Sequence, residues 1–381
     1  MTTITLKDCT SAGLVKAIKT ADPGDVILAP SGDYPDDFIL DGIDKAGLQI
    51  KAQDKRYRPN FTSRFYVKNS HGLTFDALEF SGAAMLDMPV QISGCGQITV
   101  SHCYIHGSLD VAPNDKRGML VRGSGRCLIV QNTFEELSDA LGWLDSPGLI
   151  IRQNVFRHIA DNCMAGGGSV NLEVGGNVGS SFQRVADDAI HPDFIQNWGT
   201  EMNPQPTGLL IRGNVYVRGI DAWLSQGVWV SDAKPPEGGG IARYPGSVRI
   251  YDNIMIGTIY NGMVAQEAES VDFQRNICLG TADQWSYIGG RSAPENPSNV
   301  HFKDNIVTWR YPPPNPYGSG MVAIDGAIKY DDGGNAEIPC ITQELAEQLY
   351  RDFDEIFVAN GSWAVGFYDK YKARVLERLG I

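Results

Sequence analysis

Short apolar segments alternate with polar positions through most of the chain, and Gly, Asn or Asp interrupts them every few residues. That pattern predicts strands rather than helices. One pattern recurs: an apolar residue, two variable ones, Asn, any residue and another apolar one. It reads IVQNTF at 129–134, IRQNVF at 151–156, IRGNVY at 211–216, IYDNIM at 250–255, FQRNIC at 273–278 and FKDNIV at 302–307. LEVGGNV at 172–178 reads as a version with one extra residue. The Asn positions are 132, 154, 177, 214, 253, 276 and 305, separated by 22, 23, 37, 39, 23 and 29 residues, a base of about 22 with additions. A unit of that length cannot close a core alone, but stacked units can. Three short strands per turn, each turn bonded to the next at roughly 4.8 Å, make a parallel β-solenoid. Asn repeating at one phase then predicts an amide ladder whose role is structural.

The pattern continues upstream in GLQIKA (47–52), GLTFDALEF (72–80) and QITVSHCYI (97–105). Before it, residues 11–34 predict a short helix carrying Leu14 and Ile18, a turn at Pro23-Gly24-Asp25 and a first strand. With Ala21, Ile27, Leu28, Gly32 and Tyr34 around that turn, this stretch resembles the N-terminal cap and first coil of right-handed parallel β-helix proteins of the pectate-lyase-like superfamily. The resemblance covers roughly residues 10–330. It implies an all-β, single-stranded right-handed parallel β-helix, a fold that hosts lyases, hydrolases, epimerases and inert spikes.

After Pro339 the periodicity becomes helical. Thr342 is placed to cap a helix with Ala346, Tyr350, Phe353 and Phe357 on one face, and a second helix follows over Tyr368–Leu379. The chain thus divides into a cap and first coil (1–45), the β-helix (46–338) and a helical segment (339–381) that covers the far end or joins subunits.

Composition narrows the function. With 43 Gly and 20 Pro, a long coiled coil is excluded. Lys and Arg number 32 against 45 Asp and Glu, a net charge of −13 that argues against a nucleic-acid surface. No apolar run reaches the roughly 18 residues of a membrane span. The start of the chain has no basic patch followed by an apolar stretch, so no ordinary secretory signal is expected. The seven Cys have no metal-type spacing and read as small buried hydrophobes.

Function is expected where the coil loses its regularity. Asp139, Asp161, Asp221 and Asp283 each follow their Asn by seven residues, as Tyr260 follows Asn253, and by themselves read as turn formers. Asp187 follows its Asn by ten, so three extra residues precede Ala186-Asp187-Asp188-Ala189-Ile190-His191-Pro192-Asp193. Surplus residues at 197–207, 231–246 and 289–298 fall at one phase and predict walls along one edge of a groove. Four residues after the Asp column lie Trp143, Ala165 and His191, which predicts Trp143 and His191 about 10 Å apart on one exposed surface. Trp223 and Trp285 suit the core as well as the groove, whereas Trp198 and Trp229 adjoin inserted loops. His102, His106 and His158 have no partner pattern and read as surface residues.

Carboxylates, an imidazole and aromatic plates in one groove suit a polysaccharide, with rings stacking on sugar faces. For hydrolysis the candidates are Asp187 or Asp188 with Asp193 or Asp221. For elimination from a uronate polymer, His191 is the candidate base, Tyr216, Tyr244 or Tyr260 the donor, and Arg184, Arg212 or Arg243 the neutralising cation. No cofactor is expected, and no motif indicates Ca²⁺. The general form also resembles phage tailspike depolymerases. That implies a polysaccharide partner, a homotrimer or contacts with virion tail proteins, and a virion or extracellular setting, the cytoplasm being the alternative. The expected function is therefore a β-helical polysaccharide depolymerase, with hydrolysis ahead of elimination, and the rival is a non-catalytic adhesin using the same groove.

Overall fold

A computed structural model describes the 381 residues except 111–114, 181, 183–191, 221, 223, 236–241, 282–285, 290–298, 311–320, 323–327 and 360–365, together with the side chains at 260, 287, 309, 310, 321, 322, 328–331 and 359. The chain winds as a parallel coil of about eleven turns. Among the described residues, sheet A has thirteen strands from Thr3–Thr5 to Ile328–Asp331, sheet B twelve from Gly32–Tyr34 to Ala336–Pro339, and sheet C eleven from Phe38–Asp41 to Met321–Val322. Each turn visits A, B and C in order, and strands three apart in the chain pair in parallel, as Ile129 with Ile151 and Phe134 with Phe156.

The alternation in the sequence explains this winding. In strands such as Leu128–Val130 and Leu141–Leu144, residues of one parity point inward, and the interior stacks like on like. Phe38 lies on Phe65 at 4.3 Å, Phe134 on Phe156 at 5.0 Å and Phe273 on Phe302 at 5.4 Å between ring centroids. Between sheets A and B the predicted ladder is present. Asn132, Asn154, Asn177, Asn214, Asn253, Asn276 and Asn305 are fully buried. Each Nδ2 donates to the Oδ1 of the next Asn, at 2.9–3.1 Å. An eighth member, Asn335, extends it; the polar Asp332 three residues earlier hides it from the sequence pattern.

The residue before each of the seven Asn is left-handed, with φ between 53° and 65°, so one tight turn repeats along the coil. No extra residue enters at 172–178: Val174 pairs with Ile151 and Gly175 with Arg152, so Val174 is the apolar member of that unit.

A helix, α1 (Ser11–Thr20), covers the start of the coil. The Thr10 Oγ1 accepts from the Gly13 N–H at 3.2 Å, and Leu14 and Ile18 are fully buried. A strand that the sequence did not suggest, Thr3–Thr5, precedes it and pairs with Val26–Leu28. At the other terminus, α2 (Gln343–Ala359) and α3 (Phe367–Leu379) lie against the outer flank of sheet B. Thr342 Oγ1 caps α2 through the Leu345 N–H at 3.2 Å. Leu349, Phe353, Phe367, Tyr371 and Val375 pack on Val215, Val217, Ile254, Ile256, Ile277 and Leu279. That cover explains why VYV (215–217), IMI (254–256) and ICL (277–279) are apolar on both faces. All seven Cys are free, and five are buried. No helix among the described residues is long and apolar enough to cross a membrane.

Candidate functional site

Of the surplus segments, 199–207 and 231–235 lie where sheet C strands turn towards sheet A, as their common phase predicts, whereas 236–241 and 290–298 lie outside the described residues. After the strand Asp193–Trp198, the loop 199–207 folds back over Asp145, which follows the sheet C strand two coils earlier. Thr200 Oγ1 donates to Asp145 Oδ1, Asn203 Nδ2 donates to the same oxygen at 2.9 Å, and the Asn203 N–H donates to Thr200 Oγ1 at 3.1 Å. The next insertion stacks on it: the Gly199 N–H donates to Asp232 C=O at 3.1 Å and the Lys234 N–H to Pro204 C=O at 2.8 Å. The wall rises beside the outer face of sheet C. On that face a half-exposed column runs Tyr66, Gln91, Leu120, Gly142, Ala165, Gln196, Trp229.

Trp198 is outward and half-buried, and its indole lies on Gly167; a Cβ at Gly167 would come within 2.5 Å of Nε1. The preceding Gly166 does the same for the interior: a Cβ there would sit 2.3–2.4 Å from three ring atoms of Trp143. Consecutive glycines thus admit one Trp on each side of a single strand. Gly166→Ala is expected to overpack the core and lower stability by about 1–3 kcal/mol, read from the urea midpoint.

Trp143 is therefore not a groove residue. It is 1% exposed, and its Nε1 donates to Ser169 Oγ at 2.8 Å, which donates on to Asn197 Oδ1 at 2.8 Å. The counting from the Asp column fails because an extra residue enters ahead of Met164: Leu137 pairs with Ile159, 22 apart, but Leu141 with Met164, 23 apart. In a period of two, a one-residue slip exchanges inside for outside. Ala165 accordingly pairs with Gly142 rather than Trp143, and on its other side a separate offset of five residues makes its partner Gln196, not His191.

Of the other candidates, Asp187, Asp188, His191, Asp221, Trp223, Arg184 and Trp285 lie outside the described residues, as does the side chain of Tyr260. Asp193 is 1% exposed, placed inside by the register of its strand, and so does not present its carboxylate on the outer face. Arg212 is exposed but belongs to sheet A, where its guanidinium and that of Arg152 both hold Glu173. Arg243 also lies at sheet A, its guanidinium on Ala268 C=O at 3.5 Å. Tyr216 and Tyr244 are buried, their hydroxyls bonded to Ser225 Oγ and to Ser231 C=O. Trp198 and Trp229 remain on the outer face; Trp229 Nε1 donates to Ser231 Oγ at 2.9 Å. His102, His106 and His158 do have partners, each within ion-pair reach of a carboxylate: Asp76 at 2.6 Å, Glu79 at 3.1 Å and Glu135 at 3.6 Å.

A polar row crosses five successive coils at the N-terminal edge of sheet C, in the order Asp139, Asn162, Asp193, Gln226, Asn261. Asn162 donates to Asp139 Oδ1 from its backbone N–H at 3.4 Å and from Nδ2 at 3.2 Å. The Asp193 N–H donates to Asn162 Oδ1 at 3.0 Å, and Asn261 Nδ2 donates to Gln226 Oε1. Asp139 is thus bonded to the next coil rather than turned onto its own backbone, and sequence spacing, which marked it only as a turn former, missed that. Burial pushes its carboxyl above the ordinary Asp range, against the bonds from Asn162 and the Arg117 charge. A cleft of about 210 Å³ opens here, lined by Arg117, Leu120, Asp139, Gly142, Asn162, Ala165, Gln196 and Trp198 among others. Among the described residues, Asp110, Asp115 and Glu136 bring carboxylate oxygens within 4.8 Å of one another, the one acidic group close enough to share a cation.

The family model described as the right-handed beta helix region matches residues 53–191. The chain has no match among curated proteins. Among solved structures it is similar to a PL6 family alginate lyase, AlyGC (TM-score 0.48, 13% identity, covering 88% of this chain and 53% of that one). It is also similar to a rhamnogalacturonan lyase (0.46, 11%, 85% and 81%) and to the catalytic domain of a GH87 alpha-1,3-glucanase in complex with nigerose (0.48, 13%, 88% and 68%). The chain spans about half the length of the alginate lyase. The match to the right-handed beta helix region agrees with the three-sheet winding, which among the described residues runs on to the strand Ala336–Pro339.

Proposed function

We propose that the protein is a polysaccharide depolymerase that binds its glycan along the outer face of sheet C. The observation that carries this reading is Trp198, held half-exposed over Gly167 by a loop tied to Asp145, beside a cleft whose floor is apolar or small and whose edge is amide and carboxyl. An aromatic plate takes the apolar face of a sugar ring, and polar groups convergent at one edge take its hydroxyls. The cleft is smaller than the ~300–1,000 Å³ of a drug-sized pocket, as suits one ring of a longer chain. Coil steps of about 4.8 Å repeat the surface along the axis, so successive rings meet a similar floor.

The test is incubation with alginate, polygalacturonate, α-1,3-glucan and bacterial capsular polysaccharides, followed by size-exclusion of the products. Shortened chains are expected from one of them. Trp198→Ala should weaken binding of that glycan roughly tenfold or more. Gly167→Ala, which displaces the indole, should do the same without unfolding the coil. Binding without shortening would make the protein an adhesin, and retention of full affinity by both variants would move the glycan off this face.

A further inference from the structure

We propose that Tyr66 is a second sugar platform, four coils from the Trp198 cleft, so that one glycan chain is held at two points about four sugar units apart. The inference rests on the reading of the sheet C face as a glycan track and adds a remote subsite to it. Tyr66 stands outward and half-exposed on the strand Phe65–Lys68, between the buried Phe65 and Val67. Its hydroxyl accepts from Gln91 Nε2 of the next coil at 3.1 Å, which ties the ring to its neighbour. Gln91 Nε2 also donates to Met88 C=O at 3.3 Å, and because a carbonyl only accepts, the amide is fixed in that sense. Its Oε1 is then left to accept from a ligand, and the phenol, accepting from Gln91, keeps its own proton to donate. Lys68 Nζ lies over the ring at 5.5 Å from its centroid, on a flexible stem that can lift to an oxygen of a sugar seated there. An aromatic plate with two donors and an acceptor at its rim suits a sugar, its C–H face on the ring and its hydroxyls on the polar groups.

The platform and the cleft belong to one continuous surface. Met88, whose carbonyl orients Gln91, lines the cleft, as do Leu120, Gly142 and Ala165. In the outer column Tyr66 pairs with Gln91, Gln91 with Leu120, Leu120 with Gly142 and Gly142 with Ala165. Gly167, which carries the Trp198 indole, is on the same strand as Ala165. Four coil steps of about 4.8 Å place the two aromatic side chains about 19 Å apart along the axis. A pyranose unit in an extended chain is about as long as one step, so a chain of about five rings reaches from one platform to the other. The turns from sheet C to sheet A give the platform its use. The wall of residues 199–207 flanks the track at Trp198, but the turns from Lys68 to His71, Ser93 to Thr99, Arg122 to Leu128 and Leu144 to Ile150 are short. Over those coils the grip has to come from the face itself, and Tyr66 is the aromatic side chain on it.

The experiment takes whichever glycan of the panel wild-type protein binds, as a trisaccharide and as chains long enough to span both platforms, and follows binding by tryptophan fluorescence and calorimetry. Wild-type affinity should rise once the chain passes about five units and engages both platforms. Tyr66→Ala should remove that rise, weakening the long chain about three- to tenfold. The trisaccharide, which cannot span the two platforms, should enter the cleft of both proteins alike. Where the glycan is also cleaved, the loss should fall on KM for long chains rather than on kcat. Tyr66→Trp keeps a plate and should keep the rise, and the thermal midpoints of both variants should match wild type. Full affinity of Tyr66→Ala for long chains, or an equal loss on trisaccharide and long chain, would overturn the second platform while leaving the glycan face. Failure of wild type to bind any glycan would instead overturn the functional reading beneath it, and the platform with it.

Discussion

Asn214→Ala is expected to lower the unfolding free energy by about 3–6 kcal/mol, the largest effect of any single substitution in the coil. Asn214 Oδ1 accepts from both the backbone N–H and the Nδ2 of Asn177, each at 3.0 Å. Its Nδ2 donates to Val174 C=O and to Asn253 Oδ1, each at 2.9 Å. Truncation leaves at least the Asn177 N–H and the Val174 C=O without these partners where no water reaches, and each buried unsatisfied group costs about 1–3 kcal/mol. The lost side-chain volume adds a cavity. Asn214→Asp should be no better, since it keeps the acceptor but loses the donor in a fully buried place. Asn335 stands half-exposed at the end of the ladder, so Asn335→Ala should cost much less. Urea unfolding checks the series; a loss below about 1 kcal/mol at Asn214 would mean that the ladder follows the coil rather than holding it.

The second large effect belongs to the helical hairpin. Asp352 is 2% exposed and accepts from Arg378 Nε at 2.7 Å, Arg378 Nη2 at 2.9 Å, Gln348 Nε2 at 3.1 Å and Arg374 Nη1 at 3.4 Å. Asp352→Ala removes the shared acceptor of both arginines. Breaking a fully buried pair costs about 3–5 kcal/mol; the arginine heads are about one-third exposed and recover some hydration, so about 2–4 kcal/mol is expected. The loss should be confined to α2 and α3, uncovering Val215, Val217, Ile254 and Ile256, and so should appear as faster hydrogen exchange in the hairpin and as self-association.

The same carboxylate gives a pH dependence. Burial pushes the Asp352 carboxyl up, but the hydrogen bonds from Arg378 and Gln348 and the two arginine charges outweigh it, so its folded value lies below the ordinary one. A lowered folded pKa means stability fully present above the unfolded value of about 3.9 and lost as pH falls through the folded value. The hairpin should therefore loosen in acid before the Asn ladder, which does not titrate. Hydrogen exchange at pH 3 and pH 7, compared between wild type and Asp352→Asn, measures it; equal pH dependence in the two would assign the effect elsewhere.

The coil itself was legible in the sequence. Asn at one phase marks the turn between sheets A and B, because only a side chain that both donates and accepts can bond its own kind along a stack of coils. Apolar alternation marks the strands, and the common phase of the surplus residues marks the wall beside sheet C. These are local properties, repeated often enough to reveal their period. Inside and outside were decided only by the three-dimensional register. The strand Leu141–Leu144 turns Trp143 into the core, a residue added before Met164 takes Ala165 out of its phase, a further offset of five sets Gln196 rather than His191 beside Ala165, and the strand ending at Trp198 carries Asp193 inward. The meeting of Arg117, Asp139 and Asn162 was equally hidden. They are spread over about forty-five residues of chain and become neighbours only because the coils between them stack, and spacing along a sequence carries no sign of which side chains that stacking will bring into one cleft.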